Sequence, residues 1–177
     1  MVSLVLGGSG SGKSAYAEQL VLEMGEKKRY YLATMQIFDE EGAKKVKRHQ
    51  FLRKEKGFLT IEQPKNIGKI DWNRKEKEEN AVLLLECVSN LVANEMFDEN
   101  GSVASGNLKE KICTEILALR EKVKNLVIVS NNVFEDGCSY DETTTQYIEL
   151  LGRINHVLAK NADHVVEVVC GIPVKIK

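Results

Sequence analysis

The stretch that most limits how this chain can fold is residues 7–14, which read Gly-Gly-Ser-Gly-Ser-Gly-Lys-Ser. They match the pattern Gly-x-x-x-x-Gly-Lys-[Ser/Thr], in which a glycine-rich turn wraps around a phosphate group. Such a turn requires an apolar strand before it and a helix after it. Val2–Leu6 and the residues that follow Ser14 have those two patterns. A flexible Gly/Ser turn is the competing interpretation, but the order strand, loop, helix favours a phosphate-binding loop, called the P-loop below.

The P-loop predicts a nucleotide site with separate roles for its residues. Backbone N–H groups would hold phosphate oxygens, and they belong to Gly7, Gly8, Ser9, Gly10, Ser11 and Gly12. Lys13 would place a positive charge beside the β- and γ-phosphates, and the Ser14 hydroxyl would bind Mg²⁺. The positive end of the following helix would face the same anion.

Length, charge and cysteine spacing narrow the class of protein. The 177 residues suit one compact domain, residues 1–177. A net charge of −1 gives no reason to expect nucleic-acid or membrane-surface binding. No run of 18 apolar residues is present, so no membrane span is predicted, and a strand at the very start argues against a signal peptide. The 4 cysteines form no metal-binding pair, which predicts buried, reduced thiols in a cytoplasmic protein.

Apolar strands and amphipathic helices alternate along the chain. Strands are predicted at residues 2–6, 29–34, 58–62, 81–86, 126–130, 165–169 and 174–176. Helices are predicted after Ser14 and at residues 40–56, 89–97 (capped by Ser89), 107–124 (capped by Asn107) and from 141 onward, with a polar loop at 63–80. The pattern predicts an α/β fold with a mostly parallel central sheet, helices on both faces and an antiparallel last strand.

Ligands of such sheets bind where the parallel strands end. The P-loop, Thr34, Glu86 and the loop at Asn131 all follow strand ends and are therefore expected at one mouth. Glu86 follows five apolar residues, and a carboxylate there is costly to bury without a cation. It is the predicted second Mg²⁺ ligand, the alternative being a solvent-facing strand end.

Residues 44–53 form a basic segment that contains His49, one of 3 histidines. Three interpretations stay open: a solvated helix face, a nucleic-acid contact, or cations that hold a triphosphate while an imidazole attacks phosphorus. His156 and His164 fit structural roles.

Several motifs together resemble the bifunctional adenosylcobinamide kinase/adenosylcobinamide-phosphate guanylyltransferase family of cobalamin biosynthesis. The resemblance runs nearly end to end and includes His49 with Arg53, and Thr60 with Glu62 and Pro64. The other matching stretches are residues 7–14, 31–34, 39–41, 84–87, 90–94, 130–133, 152–155, 162–163 and 171–177.

This resemblance implies a RecA-like P-loop NTPase fold, a homotrimer and two reactions. A nucleoside triphosphate, GTP or ATP, would phosphorylate the aminopropanol hydroxyl of adenosylcobinamide. GTP would then guanylylate His49, and the GMP would pass to adenosylcobinamide-phosphate to give adenosylcobinamide-GDP. Thr34, Arg53, Glu62 and Glu86 would contact the nucleotide, and Lys13 would act with His49 in catalysis.

The chain departs from the family pattern near two of these motifs. Asn132 and Phe134 stand where the family commonly has Glu and the Gly of a Val-Gly pair, and residues 140–145 lack its Pro-Glu and arginine. Lys54 and Phe58 replace a proline and a tryptophan. The resemblance therefore supports guanylyl transfer more strongly than phosphorylation.

Two other functions fit the P-loop. One is a kinase for a different small alcohol, in which His49 is structural and no nucleotide attaches to the protein. The other is a nucleotide-dependent switch protein, but the Asn-Lys-x-Asp segment that reads guanine in switch GTPases is missing from the sequence.

Overall fold

The computed structural model describes residues 1–36, 55–72, 78–97, 106–133 and 137–177. Within these ranges there are seven strands: β1 Val2–Leu6, β2 Lys28–Ala33, β3 Phe58–Glu62, β4 Glu78–Glu86, β5 Val123–Val129, β6 His164–Val169 and β7 Ile172–Lys175. The helices of the same ranges are α1 Lys13–Glu23, α2 Val88–Met96, α3 Leu108–Ala118 and α4 Glu142–Asn161. Short 3₁₀ turns lie at Ile67–Lys69 and Leu119–Glu121.

The seven strands form one sheet in the order β3-β2-β4-β5-β1-β6-β7. All neighbours are parallel except β7, which runs antiparallel to β6. The predicted, mostly parallel sheet with an antiparallel last strand is thus confirmed. Its central strands are buried on both faces, which explains why they read as continuous apolar runs.

Helices cover both faces of the sheet, as predicted. Successive side chains of β4 alternate between the two apolar layers. Val82 and Leu84 pack with α1, whereas Leu83 and Leu85 pack with α2, α3 and α4. The stripe predicted on α4 is confirmed, since Leu151, Ile154 and Leu158 are fully buried there and Tyr147 and Leu150 are partly buried.

Some predicted boundaries are wrong because tertiary pairing overrides local polarity. β4 begins at Glu78, three residues before its apolar run, since its carboxylate accepts hydrogen bonds from Lys28 Nζ and from the Tyr30 hydroxyl. The helix predicted to reach residue 124 ends at Ala118, and Val123 already pairs with Glu78 in the sheet. Val123 is β-branched, and β-branched side chains favour strands.

The helix-cap predictions have mixed outcomes. Asn107 caps α3 as predicted, and Asp141, predicted only as the start of a helix, caps α4. Each accepts a hydrogen bond from a backbone N–H three residues later. Ser89 is not a cap, because α2 begins at Val88 with Cys87 in the cap position. The Ser89 hydroxyl contacts Cys87 Sγ at 2.9 Å instead.

The prediction of buried thiols holds for only part of the set. All four cysteines are free, but Cys138 and Cys170 are exposed while Cys87 and Cys113 are buried. The predicted helix at residues 40–56 lies almost entirely outside the described residues. No helix in the described part of the chain has the length and apolar character needed to span a bilayer.

Candidate nucleotide site

The P-loop connects β1 to α1 at the carboxyl edge of the sheet. Its backbone is in the left-handed region at Gly10 (φ 70°) and Gly12 (φ 90°), which favours glycine. Gly7 is needed for a different reason, since a Cβ there would lie 2.4 Å from Ser11 Oγ and 2.7 Å from the Val168 carbonyl oxygen. The glycines therefore permit both the turn and its close approach to β6.

The start of α1 is suited to an anion. Within the described stretch 1–36, the helix begins after Gly12 with no side-chain cap and no acidic residue in its first turn. The first N–H groups and the positive dipole end of the helix are therefore available to an anion. Backbone groups arranged in this way bind phosphate.

Neighbouring strands hold the P-loop in shape. The Gly171 N–H, in the β6–β7 turn, donates to the Ser11 carbonyl at 2.8 Å. From the loop after β5, the Asn132 N–H donates to the Gly7 carbonyl at 3.0 Å. These anchoring contacts could not be predicted from the sequence, because they join residues more than a hundred positions apart.

Lys13 lies inside the P-loop. It is only 8% exposed, and its ammonium group donates to the Gly8 carbonyl at 3.1 Å. A buried ammonium needs compensating oxygens, and a phosphate would supply stronger ones than a single carbonyl. This position agrees with the predicted role of Lys13 beside the terminal phosphates.

Ser14 and Glu86 meet as the sequence predicted. The Ser14 hydroxyl donates to Glu86 Oε1 at 2.6 Å. Glu86 is the last residue of β4, which is separated from β1 by β5 alone. A hydroxyl and a carboxylate are the hard oxygen donors that Mg²⁺ prefers, so this pair fits the predicted metal site.

Thr34 is fully buried beside Glu86. Its hydroxyl donates to the Cys87 carbonyl at 2.7 Å and accepts from the Cys87 N–H at 2.8 Å, across the cis Glu86–Cys87 peptide. Asn94 in turn donates to the Thr34 carbonyl at 2.7 Å. Thr34 therefore orients the end of β4, and its direct contact with nucleotide stays a prediction.

Glu62 is an exposed residue at the end of β3. It is level with Glu86, because both pair in register with Ala33. Four strand spacings of about 4.8 Å separate β3 from β1, so the Glu62 backbone lies roughly 19 Å from the P-loop strand. If Glu62 contacts the nucleotide, it contacts a part that is remote from the phosphates bound by the P-loop.

His49 and Arg53 lie outside the described residues. Their predicted roles in guanylyl transfer and nucleotide binding stay predictions. Lys54 and Phe134, where the chain departs from the family pattern, also lie outside the described residues.

Burial controls the titration of two groups close to the start of α2. It raises the pKa of the Cys87 thiol, and it raises the pKa of the Tyr147 hydroxyl to about 12. Tyr147 donates its proton to the Ser89 carbonyl at 3.2 Å. Both groups are therefore neutral at physiological pH.

The strand order and the P-loop define a RecA-like P-loop NTPase fold. Among solved structures, an ATPase domain superimposes with a TM-score of 0.52 at 12% identity, over 94% of this chain and 68% of that one. At this identity the likeness shows the fold alone.

Sequence comparison then narrows the class to a family. The chain belongs to the cobinamide kinase / cobinamide phosphate guanyltransferase family, which matches residues 3–176. It is 32% identical to the bifunctional adenosylcobalamin biosynthesis protein CobU of Escherichia coli, over 100% of both chains. It is 27% identical to the bifunctional adenosylcobalamin biosynthesis protein CobP of Pseudomonas aeruginosa, over 100% of this chain and 98% of the relative. The resemblance found in the sequence is thereby confirmed, and the chain is a transferase.

Proposed function

We propose that this enzyme catalyses two successive steps in assembling the nucleotide loop of cobalamin. It phosphorylates the aminopropanol hydroxyl of adenosylcobinamide with a nucleoside triphosphate. It then transfers GMP from GTP, through a guanylylated His49, to adenosylcobinamide-phosphate, giving adenosylcobinamide-GDP. The observation that carries the proposal is the assembled group of P-loop, Lys13, Ser14 and Glu86 in a chain that matches the family over residues 3–176.

The described residues support triphosphate binding. The N–H groups at the start of α1 hold phosphate oxygens, and Lys13 neutralises the terminal phosphates. Ser14 and Glu86 would hold Mg²⁺, which supplies charge neutralisation to the phosphates when bound. Phosphoryl transfer depends mainly on this positioning and charge stabilisation, so the P-loop can serve the kinase step without a covalent intermediate.

Guanylyl transfer needs a nucleophile that attacks the α-phosphorus and later leaves. A neutral imidazole does both, and an imidazole has a substantial neutral fraction at physiological pH. The pyrophosphate leaves in the first half of the reaction. The phosphate of adenosylcobinamide-phosphate then displaces His49. The basic residues around His49 would favour its neutral form.

Incubation with α-labelled GTP and Mg²⁺ tests this covalent step. The wild-type protein should carry a label that is acid-labile and alkali-stable, and His49→Ala should carry none. His156→Ala is the matched control, because His156 is exposed on α4 and should leave labelling unchanged. A wild-type protein without label, or labelled His49→Ala, would refute the guanylylated histidine.

Lys13→Ala tests the shared nucleotide site. The variant should weaken triphosphate binding and reduce both reactions, because the same ammonium group serves both. Normal turnover would show that the role of the P-loop is wrong. The homotrimer and the cytoplasmic location are also part of the proposal, and light scattering of the purified chain measures the first.

A further inference from the structure

A cavity of about 780 Å³ lies beside the P-loop, on the α4 side of the sheet. Its walls come from four places: the outer turn of the P-loop, the loop after β5, the first turns of α4 and the end of β6. The volume falls within the range of about 300–1,000 Å³ typical of small-molecule sites. The P-loop residues of this wall are predicted to hold phosphate through their backbone N–H groups, whereas the walls from α4 and β6 have no nucleotide role assigned above.

One wall of the cavity is the P-loop turn to which the Lys13 side chain is bonded. In a P-loop the lysine reaches the β- and γ-phosphates. Lys13 Nζ lies 3.1 Å from the carbonyl of Gly8, and Gly8 is part of the cavity wall. A triphosphate bound with its terminal phosphates at Lys13 would therefore have its transferable phosphoryl group near this wall.

One side chain gives the cavity a basic group. Among the described residues that line it, Glu167 alone has a carboxylate. Asn132 Nδ2 donates to Glu167 Oε1 at 2.7 Å, and the Asn132 N–H is bonded to the Gly7 carbonyl. The carboxylate is thus connected to the first residue of the P-loop through Asn132, whose side chain bonds Glu167 and whose backbone N–H bonds Gly7.

Two hydroxyl groups of the wall are already engaged. The Tyr147 hydroxyl donates to Ser89, and the Thr144 hydroxyl donates to Asp141 Oδ2 at 2.6 Å. Apolar side chains supply most of the remaining surface, including Val133 and Val168. Such a wall suits an aliphatic arm that carries a single hydroxyl.

We propose that this cavity receives the acceptor alcohol of the kinase step, and that the Glu167 carboxylate accepts its hydroxyl proton. The inference rests on the proposed function. The acceptor O–H bond breaks, with its proton going to Glu167, and the oxygen forms a bond to the γ-phosphorus. The bond from that phosphorus to the β–γ bridging oxygen breaks, and the nucleoside diphosphate leaves with the electron pair. Asn132 is a positioning residue, since it acts through Glu167.

The test measures γ-phosphoryl transfer from labelled triphosphate to adenosylcobinamide by the full-length chain. Glu167→Gln should lower kcat about 100-fold or more, as expected when a general base is lost. Its KM for triphosphate should change little, because the phosphate contacts are intact. Labelling by α-labelled GTP should match the wild type, since that step involves no acceptor hydroxyl. Glu149→Gln is the matched control, with a carboxylate 60% exposed on α4, and should keep normal rates.

A second variant distinguishes loss of the catalytic base from misfolding of the Glu167→Gln protein. Because Asn132 and Glu167 are in hydrogen-bond contact, the double change Asn132→Glu with Glu167→Gln returns a carboxylate to the same wall. The kcat of this double variant should be at least about tenfold higher than that of Glu167→Gln alone.

A kcat for Glu167→Gln within about threefold of the wild type would overturn the inference while leaving the proposed function intact. Equal loss of both reactions, without rescue by relocation, would also overturn it. A wild-type chain that phosphorylates no adenosylcobinamide would refute the kinase half of the proposed function, and this inference with it.

Discussion

Gly7→Ala should destabilise the folded protein, because the first position of the P-loop has no room for a side chain. An added Cβ would lie 2.7 Å from the Val168 carbonyl oxygen and 2.4 Å from Ser11 Oγ. Rotation of Ser11 can relieve the second contact. The first involves backbone of β6, so the P-loop or the strand must move.

The loss of stability in Gly7→Ala depends on whether the neighbouring atoms can move away from the added methyl group. Inserting a methyl group into packed structure costs about 1–3 kcal/mol, and a rigid backbone neighbour places this case toward the upper end, at about 2–3 kcal/mol. A domain of this size loses roughly 2–4 °C in Tm per kcal/mol. The melting temperature should therefore fall by roughly 4–12 °C.

Gly8→Ala is the matched control, since nothing lies within 4 Å of a Cβ built there. Thermal and urea unfolding of the two variants and the wild type give the comparison directly. Gly8→Ala should unfold close to the wild type. Equal stability of all three proteins would show that the tight contact between the P-loop and β6 is not present in solution.

Three other substitutions test contacts away from the P-loop. Lys111→Met should cost about 1–3 kcal/mol in urea unfolding, because it leaves the buried carboxylate of Glu95 without its 2.6 Å partner. Arg153→Met, which breaks an ion pair whose side chains are 70% and 60% exposed, should cost less than about 0.5 kcal/mol, and a larger loss from it would contradict this reasoning. The pKa of Asp141 is lowered by hydrogen bonds from Thr144, so its capping contribution is complete above the ordinary value of 3.8 and is lost as pH falls through the lower folded value. Asp141→Asn keeps a cap but cannot titrate, so the difference in Tm between wild type and variant should shrink on acidification, and a constant difference would refute the assignment.

Several features could be predicted from the sequence because their signals are local. Eight contiguous residues identify the P-loop. Buried parallel strands appear as apolar runs, and Asn107 and Asp141 cap helices through bonds to residues three positions away. The meeting of Ser14 and Glu86 also followed, since strand ends of a parallel sheet gather at one edge.

Other features could not be predicted because their partners are distant in the chain. Glu78 is polar, yet it begins β4 because Lys28 and Tyr30 satisfy its carboxylate. Glu167 looks like an ordinary strand residue until the fold brings Asn132 within 2.7 Å.

The amino-acid sequence was sufficient for the fold class, the phosphate-binding loop and the family. Each depends on residue types at short or regular spacing, which set backbone conformation and burial without reference to distant partners. The supports of the P-loop at Gly171 and Asn132, the buried position of Thr34 and the cavity at Glu167 needed the tertiary structure. They arise where strands far apart in the chain become neighbours in the sheet, and only that packing establishes the distances on which their chemistry depends.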